Sequence, residues 1–88
     1  MVQVYLPSSL RTLFPGAPRQ LALEAATVAD LLRALDSRWP GMWDRLCTTS
    51  GGAIREHINV FVDGEKAALE APLAPSATVR IIPAVSGG

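Results

Sequence analysis

The sequence predicts an α+β domain, in which a mixed sheet of four to five strands carries one main helix on one face. Segments of period-two apolar alternation lie on both sides of a single segment with helical periodicity. The apolar fraction of 49% and the charged fraction of 18% are typical of a globular chain. The 88 residues leave room for one domain. We place it at residues 1–83 and expect residues 84–88 to form a flexible tail.

The first two strands are predicted to form a hairpin. Residues 2–6 alternate with period two and end at Pro7, and residues 19–23 alternate in the same way. The connection, residues 8–18, contains Pro15-Gly16 and is predicted to be a long, loose loop.

The main helix is predicted to begin after Thr27 and to end just past Trp39, at Pro40-Gly41. Thr27 is followed three residues later by Asp30, which resembles a capping box. One apolar face has helical spacing and comprises Val28, Leu31, Leu32 and Leu35. A short helical turn is expected around Met42, Trp43 and Leu46. Trp39 and Trp43 are expected to cap the core at the end of the main helix.

Three further strands are predicted in the second half of the chain. Residues 58–63 form the third strand, which is closed by a turn at Asp63-Gly64. Residues 65–68 form a short edge strand, residues 69–76 a loop, and residues 78–83 the last strand.

This order of elements predicts the β-grasp arrangement, with the last strand beside the first in the centre of the sheet. Alternation then directs Val79 and Ile81 toward the helix, and Arg80 and Ile82 toward the open face. Phe61, Ile82 and Tyr5 are predicted to form an exposed apolar group on that face. We interpret the group as a partner-docking patch, although scattered surface hydrophobes are also normal.

Composition argues against several classes of function. Formal net charge is zero and basic residues do not cluster, so nucleic-acid binding is not expected. The single cysteine, Cys47, excludes an internal disulfide and a cysteine-cluster metal site; we expect no metal and a reducing cytoplasm. We interpret Cys47 as a small residue in a packed loop and His57 as a residue at the start of a strand. Neither a signal peptide nor a membrane span is predicted.

The chain ends in Gly87-Gly88, and three residues separate this pair from the last predicted strand. Glycine has no Cβ, so two in succession can thread a narrow channel. The acyl carbon of a terminal glycine is sterically open, and its carboxylate can be activated as an acyl-adenylate. This ending predicts a tail that another enzyme handles.

The chain resembles the ubiquitin-like sulfur carrier proteins over nearly its whole length. This family includes the small subunit of molybdopterin synthase, the thiamine-pathway sulfur carrier and a carrier that serves a cysteine synthase. The resemblance is sharpest in residues 57–64 and in the ending Ile82-Pro83-Ala84-Val85-Ser86-Gly87-Gly88. The family often has Ala where Ser86 stands here.

The resemblance implies a protein co-substrate without an active site of its own. An E1-like enzyme would use ATP to adenylate Gly88, and a sulfur source would displace AMP to leave a thiocarboxylate. Gly88, with Gly87, would be the reactive end, and no cofactor would be intrinsic. A sulfur-accepting synthase, either the molybdopterin synthase large subunit or a cysteine synthase, would take the sulfur from a carrier that is monomeric when free. The implied partner-binding residues are Phe61, Arg80, Ile82, Pro83, Val85 and Ser86.

Two other functions remain open at this point. A ubiquitin-like modifier would undergo the same activation, but Gly88 would end in an isopeptide bond on a lysine. A β-grasp interaction domain would carry the Gly-Gly pair incidentally. An enzyme acting alone is disfavoured, because no catalytic set can be assembled from one His, one Cys and scattered carboxylates.

Overall fold

The computed structural model describes residues 1–50 and 52–83, which form five strands and three helices. The strands are β1 (Val2–Tyr5), β2 (Gln20–Leu23), β3 (Ile58–Val62), β4 (Glu65–Lys66) and β5 (Thr78–Pro83). The helices are α1 (Ser8–Leu13), α2 (Val28–Arg38) and α3 (Met42–Leu46).

The five strands form one mixed sheet with the order β2-β1-β5-β3-β4. β1 and β5 are parallel neighbours in the centre, with Val4 opposite Val79, and the other neighbouring pairs are antiparallel. The predicted β-grasp arrangement is therefore confirmed, including the position of the last strand beside the first. A parallel pair needs a long crossover, and the chain between β1 and β5 supplies it.

The core lies between the sheet and α2. Val79, Val4 and Ile81 are at most 2% exposed and belong to one cluster with the buried face of α2. The four apolar residues predicted for that face, Val28, Leu31, Leu32 and Leu35, are fully buried. Alternation along β1 and β5 therefore predicted the inward side of the sheet correctly.

The connection between β1 and β2 is not the loose loop that the sequence predicted. Its first half is α1, which begins after Pro7 and sets Leu10 into the core at 3% exposure. Serine and threonine give this segment weak helix propensity, and the helix is too short for periodicity to be visible. Burial of Leu10 and the packing of Phe14 against the core stabilise it instead.

α2 begins with the predicted cap. The backbone N–H of Asp30 donates to Oγ1 of Thr27 over 3.2 Å, which satisfies one of the free donors in the first turn. The helix ends at Trp39, whose N–H donates to the carbonyl of Leu35. Trp39 and Trp43 are half-buried against the core, as predicted.

A single carboxylate fixes the corner between α2 and α3. Asp36 Oδ1 accepts hydrogen bonds from the backbone N–H of Gly41 at 3.1 Å and of Trp43 at 2.9 Å. Gly41 has φ of 100°, which a residue with a Cβ adopts only with strain. The short helical turn predicted around Met42 is thereby confirmed, and its Met42 and Leu46 are buried.

The turn at Asp63-Gly64 joins β3 to the edge strand β4, as predicted. Asp63 has φ of 49° and Gly64 has φ of 88°, the left-handed pair that a tight hairpin requires. Asp63 Oδ1 also accepts from the N–H of Thr78 at 2.9 Å, so the turn is tied to the start of β5.

Removing the Asp36 carboxylate should open the corner between α2 and α3. We expect Asp36→Ala to lower the free energy of unfolding by about 1–3 kcal/mol, because two partly buried N–H groups lose their acceptor. Asp36→Asn keeps one acceptor oxygen and should lose distinctly less. Urea denaturation of both variants checks this, and equal losses would contradict the role of the hydrogen bonds.

Candidate partner-docking face

The side of the sheet away from α2 carries Phe61, Arg80 and Ile82, three of the six residues that the sequence predicted for docking. We call it the open face and define it by Tyr5, Asn59, Phe61, Arg80 and Ile82. Their strand positions alternate with those of the core residues, which places them on the opposite side of the sheet.

Register aligns three of these residues in a row across the centre of the sheet. Tyr5 of β1 and Phe61 of β3 both lie opposite Arg80 of β5. The Arg80 guanidinium lies over the Tyr5 ring, 4.2 Å from its centroid, in a cation–π contact. Ile82 lies opposite Asn59 in the next row toward the end of β5.

The apolar group on this face is less exposed than the sequence predicted. Ile82 is 42% exposed, whereas Phe61 and Tyr5 are half-buried. Central strands leave little room around a large ring, and Arg80 covers the Tyr5 ring. The open face is therefore mixed, with one freely exposed aliphatic side chain beside a guanidinium.

The charge of the central row has one sign. The register continues from Phe61 to Lys66 and from Tyr5 to Gln20, so the basic residues of this row are Arg80 and Lys66, which are both exposed. No carboxylate lies among these five paired positions. The row therefore presents positive charge to a partner.

β5 ends at Pro83, which is half-buried and lies opposite Ile58. The chain continues from this edge of the sheet into residues 84–88. The predicted site residues Val85, Ser86, Gly87 and Gly88 lie outside the described residues, so their assignment stays a prediction.

A second feature was not visible in the sequence. Arg11, Arg19 and Arg80 line one cleft of about 510 Å³ at the end of β1. We call it the arginine cleft; its other lining residues are Tyr5, Leu6, Pro7, Ser8 and Gln20. Three arginines so far apart in the chain give no local pattern, and α1, which carries Arg11, was itself not predicted.

Cys47 and His57 have the structural positions that the sequence predicted. Cys47 is fully buried, and burial raises the pKa of its thiol, which agrees with a packed residue. His57 is exposed in the turn before β3, as predicted. Within residues 1–50 and 52–83, no group of three or more His, Cys, Asp or Glu side chains could hold a metal ion. In the same ranges no helix is long and apolar enough to cross a membrane.

Comparison with known families settles the relationship. The model of the ThiS family matches residues 4–88. The chain belongs to the ThiS family. Its fold and relatives are those of the ubiquitin-like sulfur carriers, as the resemblance implied. No curated protein sequence matches this member of the family.

Solved structures are similar over at least 97% of the chain. A chain of the BexX/CysO complex from Amycolatopsis orientalis is 33% identical, with 100% of each chain covered and a TM-score of 0.87. SAMP1 from Haloferax volcanii is 31% identical, with 99% and 98% covered and a TM-score of 0.81. CysO from Mycobacterium tuberculosis is 26% identical, with 97% and 100% covered and a TM-score of 0.86.

Truncation of the two adjacent isoleucines on β5 should lower the stability to different extents. Ile81 is 2% exposed in the core, so Ile81→Ala should cost about 2–5 kcal/mol of unfolding free energy. Ile82 is 42% exposed on the open face, so Ile82→Ala should cost less than about 1 kcal/mol. Chemical denaturation of the pair tests the assignment of faces, and similar losses would contradict it.

The buried thiol should be unreactive in the folded protein. We expect iodoacetamide at pH 7 to alkylate Cys47 at least about 100-fold more slowly in the native chain than in urea, because burial hides the native thiol from the reagent and raises its pKa. Mass spectrometry measures the rate of alkylation. Fast alkylation of the native chain would contradict the burial of Cys47.

The same thiol predicts a pH dependence. The folded-state pKa of Cys47 is raised above its ordinary value of 9.0. Below that pH the thiol is protonated in both states, so its contribution to the free energy of unfolding does not change with pH. As the pH rises above 9.0 only the unfolded thiol loses its proton, which favours unfolding until the folded pKa is also passed. The stability of the wild type should therefore decline above pH 9.0 partly because of this thiol. Cys47→Ala should lack that part of the decline when the thermal unfolding of the two proteins is compared across this pH range.

Proposed function

We propose that this protein is a sulfur carrier whose Gly88 carboxylate is converted to a thiocarboxylate. The observation that carries the proposal is the family match, which runs through residue 88 and so includes Gly87-Gly88. The open face supports it, because β5 presents Arg80 and Ile82 and ends at Pro83, four residues before Gly87 in the chain.

The chemistry requires two steps on another enzyme. The Gly88 carboxylate attacks the α-phosphorus of ATP and releases pyrophosphate, so that a carboxylate oxygen becomes part of a leaving group. Hydrosulfide from a sulfide donor then attacks the acyl carbon and displaces AMP, which leaves the thiocarboxylate. The product is a better nucleophile than the acid, as thiolates are better nucleophiles than hydroxyls. ATP belongs to the E1-like activating enzyme, and the carrier serves as co-substrate.

Docking on the open face explains why a folded domain is needed for a reaction at one carboxylate. Phe61, Arg80 and Ile82 would contact the partner, while Pro83 and the small residues Val85 and Ser86 lead the glycines into its cleft. An interface with a central apolar residue and a neighbouring arginine has the composition common at protein contacts. A monomeric carrier in the cytoplasm, where ATP is supplied, fits this exchange between partners.

The recipient is proposed to be a sulfur-accepting synthase, either the large subunit of molybdopterin synthase or a cysteine synthase. Both take sulfur from a terminal thiocarboxylate in the family that the sequence resembles. The core does not distinguish them, because choice between them depends on complementarity to the open face.

A second candidate function is protein modification through Gly88. It is favoured by the similarity to a protein described as small archaeal modifier protein 1 from H. volcanii, which is 30% identical with a TM-score of 0.79. The two functions share activation and differ in fate. A modifier would be recovered as an isopeptide adduct on lysines, and a carrier as a free thiocarboxylate.

Intact mass spectrometry tests the proposal directly. After incubation with ATP, an E1-like enzyme and a sulfide donor, we expect a mass gain equal to replacing one oxygen atom by sulfur. Deleting Gly88 or adding one alanine after it should abolish the gain while the fold persists, because activation requires the terminal glycine carboxylate.

Gly52→Ala is a matched control for that test. Gly52 is exposed, and an added Cβ would meet its nearest neighbour, Ser50 Oγ, at 3.6 Å, which is ordinary contact. The variant should gain sulfur like the wild type. An unmodified wild type with an enzyme that activates a related carrier would refute the proposal. Full function in the Gly88 deletion would instead favour an interaction domain.

A further inference from the structure

The arginine cleft gathers positive charge at one edge of the sheet. Arg11, Arg19 and Arg80 line it, and no Asp or Glu is among its lining residues. The chain as a whole has a formal net charge of zero, so this concentration is local. Like charges held together without counter-charge disfavour the free protein and favour an anionic ligand.

Two arginines in the cleft have defined environments. Arg11 Nε is buried and has no hydrogen-bond partner among the described residues. A buried donor without an acceptor is costly, so an incoming acceptor would recover part of that cost. The Arg80 guanidinium lies on the Tyr5 ring, 4.2 Å from its centroid, which limits its motion before a ligand arrives.

The position of the cleft relates it to the C-terminal tail. β1 runs parallel to β5, with Tyr5 opposite Arg80, so the end of β1 and the start of α1 lie at the edge of the sheet where β5 ends. Pro83 is the third residue after Arg80, and three residues span at most about 10 Å. A protein that encloses the tail therefore comes close to the cleft.

We propose that the arginine cleft receives acidic side chains of the partner protein that engages the C-terminal tail. The inference rests on the proposed function, because it assigns a charge to the partner's surface around its tail-binding channel. Asp and Glu carboxylates match the planar fork of an arginine, and three arginines suit a short acidic segment. The Tyr5 ring face is covered by Arg80, which argues against a stacked nucleobase as the ligand.

The cleft can be tested without any activating enzyme. Hexaglutamate is titrated into the labelled full-length chain, and the Nε–H resonances of Arg11, Arg19 and Arg80 are followed by NMR. We expect saturable shifts of these three signals at low salt and none at Arg38, which is exposed at the end of α2. No shift, or equal shifts at Arg38, would overturn the inference.

Two further arms of the titration identify the source of the anion. Inorganic phosphate at the same charge concentration should shift the signals less than the peptide does. Deleting Gly88 and Gly87 should leave the Nε–H resonances of the three cleft arginines unchanged. Tighter binding of phosphate would identify a phosphate, and not the partner's carboxylates, as the ligand of the cleft. A shift of the three signals when the tail is shortened would identify the chain's own terminus as the ligand.

Activation kinetics test the cleft in its proposed context. ATP–pyrophosphate exchange is measured with the E1-like enzyme at several salt concentrations. Arg19→Gln removes a cleft charge that lies off the open face, and should raise KM for the carrier about threefold with kcat unchanged. Arg19→Gln combined with Arg80→Gln should raise KM about tenfold and flatten its salt dependence. Arg38→Gln makes the same charge change elsewhere and should behave as the wild type.

The outcomes separate the two proposals. If the wild type supports no exchange, the sulfur-carrier function fails and the titration alone decides the cleft. If the wild type is active and Arg19→Gln equals Arg38→Gln at every salt concentration, the inference fails while the proposed function stands. Arg11→Lys, which keeps the charge and removes the fork, should weaken hexaglutamate binding without unfolding the chain; unchanged binding would contradict the part assigned to Arg11.

Discussion

The structure depends on one constraint, the parallel pairing of β1 and β5 at the centre of the sheet. These strands come from opposite ends of the chain, and parallel neighbours cannot be joined by a tight turn. The intervening chain must therefore cross over, and α2 does so across one face. Closing so long a loop costs chain entropy, which burial of Val4, Val79 and the apolar face of α2 offsets. Most of the remaining elements are arranged around this pair.

The same pairing makes β5 serve two purposes. Its inward residues, Val79 and Ile81, hold the core together, while Arg80 and Ile82 face outward. Because β5 lies in the centre, both of its neighbours contribute to the surface around Arg80, with Tyr5 on one side and Phe61 on the other. A residue at the edge of a sheet would have one such neighbour. The strand that precedes residues 84–88 is thus paired on both sides, which suits the proposed presentation of Gly88 to a partner.

The prediction of which side chains face away from the core succeeded where it needed only alternation along a strand. Once residues 78–83 are identified as a strand packed on a helix, Arg80 and Ile82 must point away from the core. The exposed fraction of Phe61 and Tyr5 could not be obtained in this way, because it depends on what lies across the strand. Arg11 and Arg19 were missed for a related reason. Their proximity to Arg80 results from α1, a short helix stabilised by the burial of Leu10 rather than by its own propensity.

The sequence by itself determined the order of strands and helix, the cap at Thr27, the turn at Asp63-Gly64, and which side chains of β5 face the core. These follow from hydrogen bonds and periodicities within a few residues, which are the same in any surroundings. Only the tertiary structure decided that residues 8–13 are helical, that Asp36 fixes the next corner, and that three distant arginines share a cleft. Such features arise from contacts between segments far apart in the chain, and no local pattern encodes the distance between them.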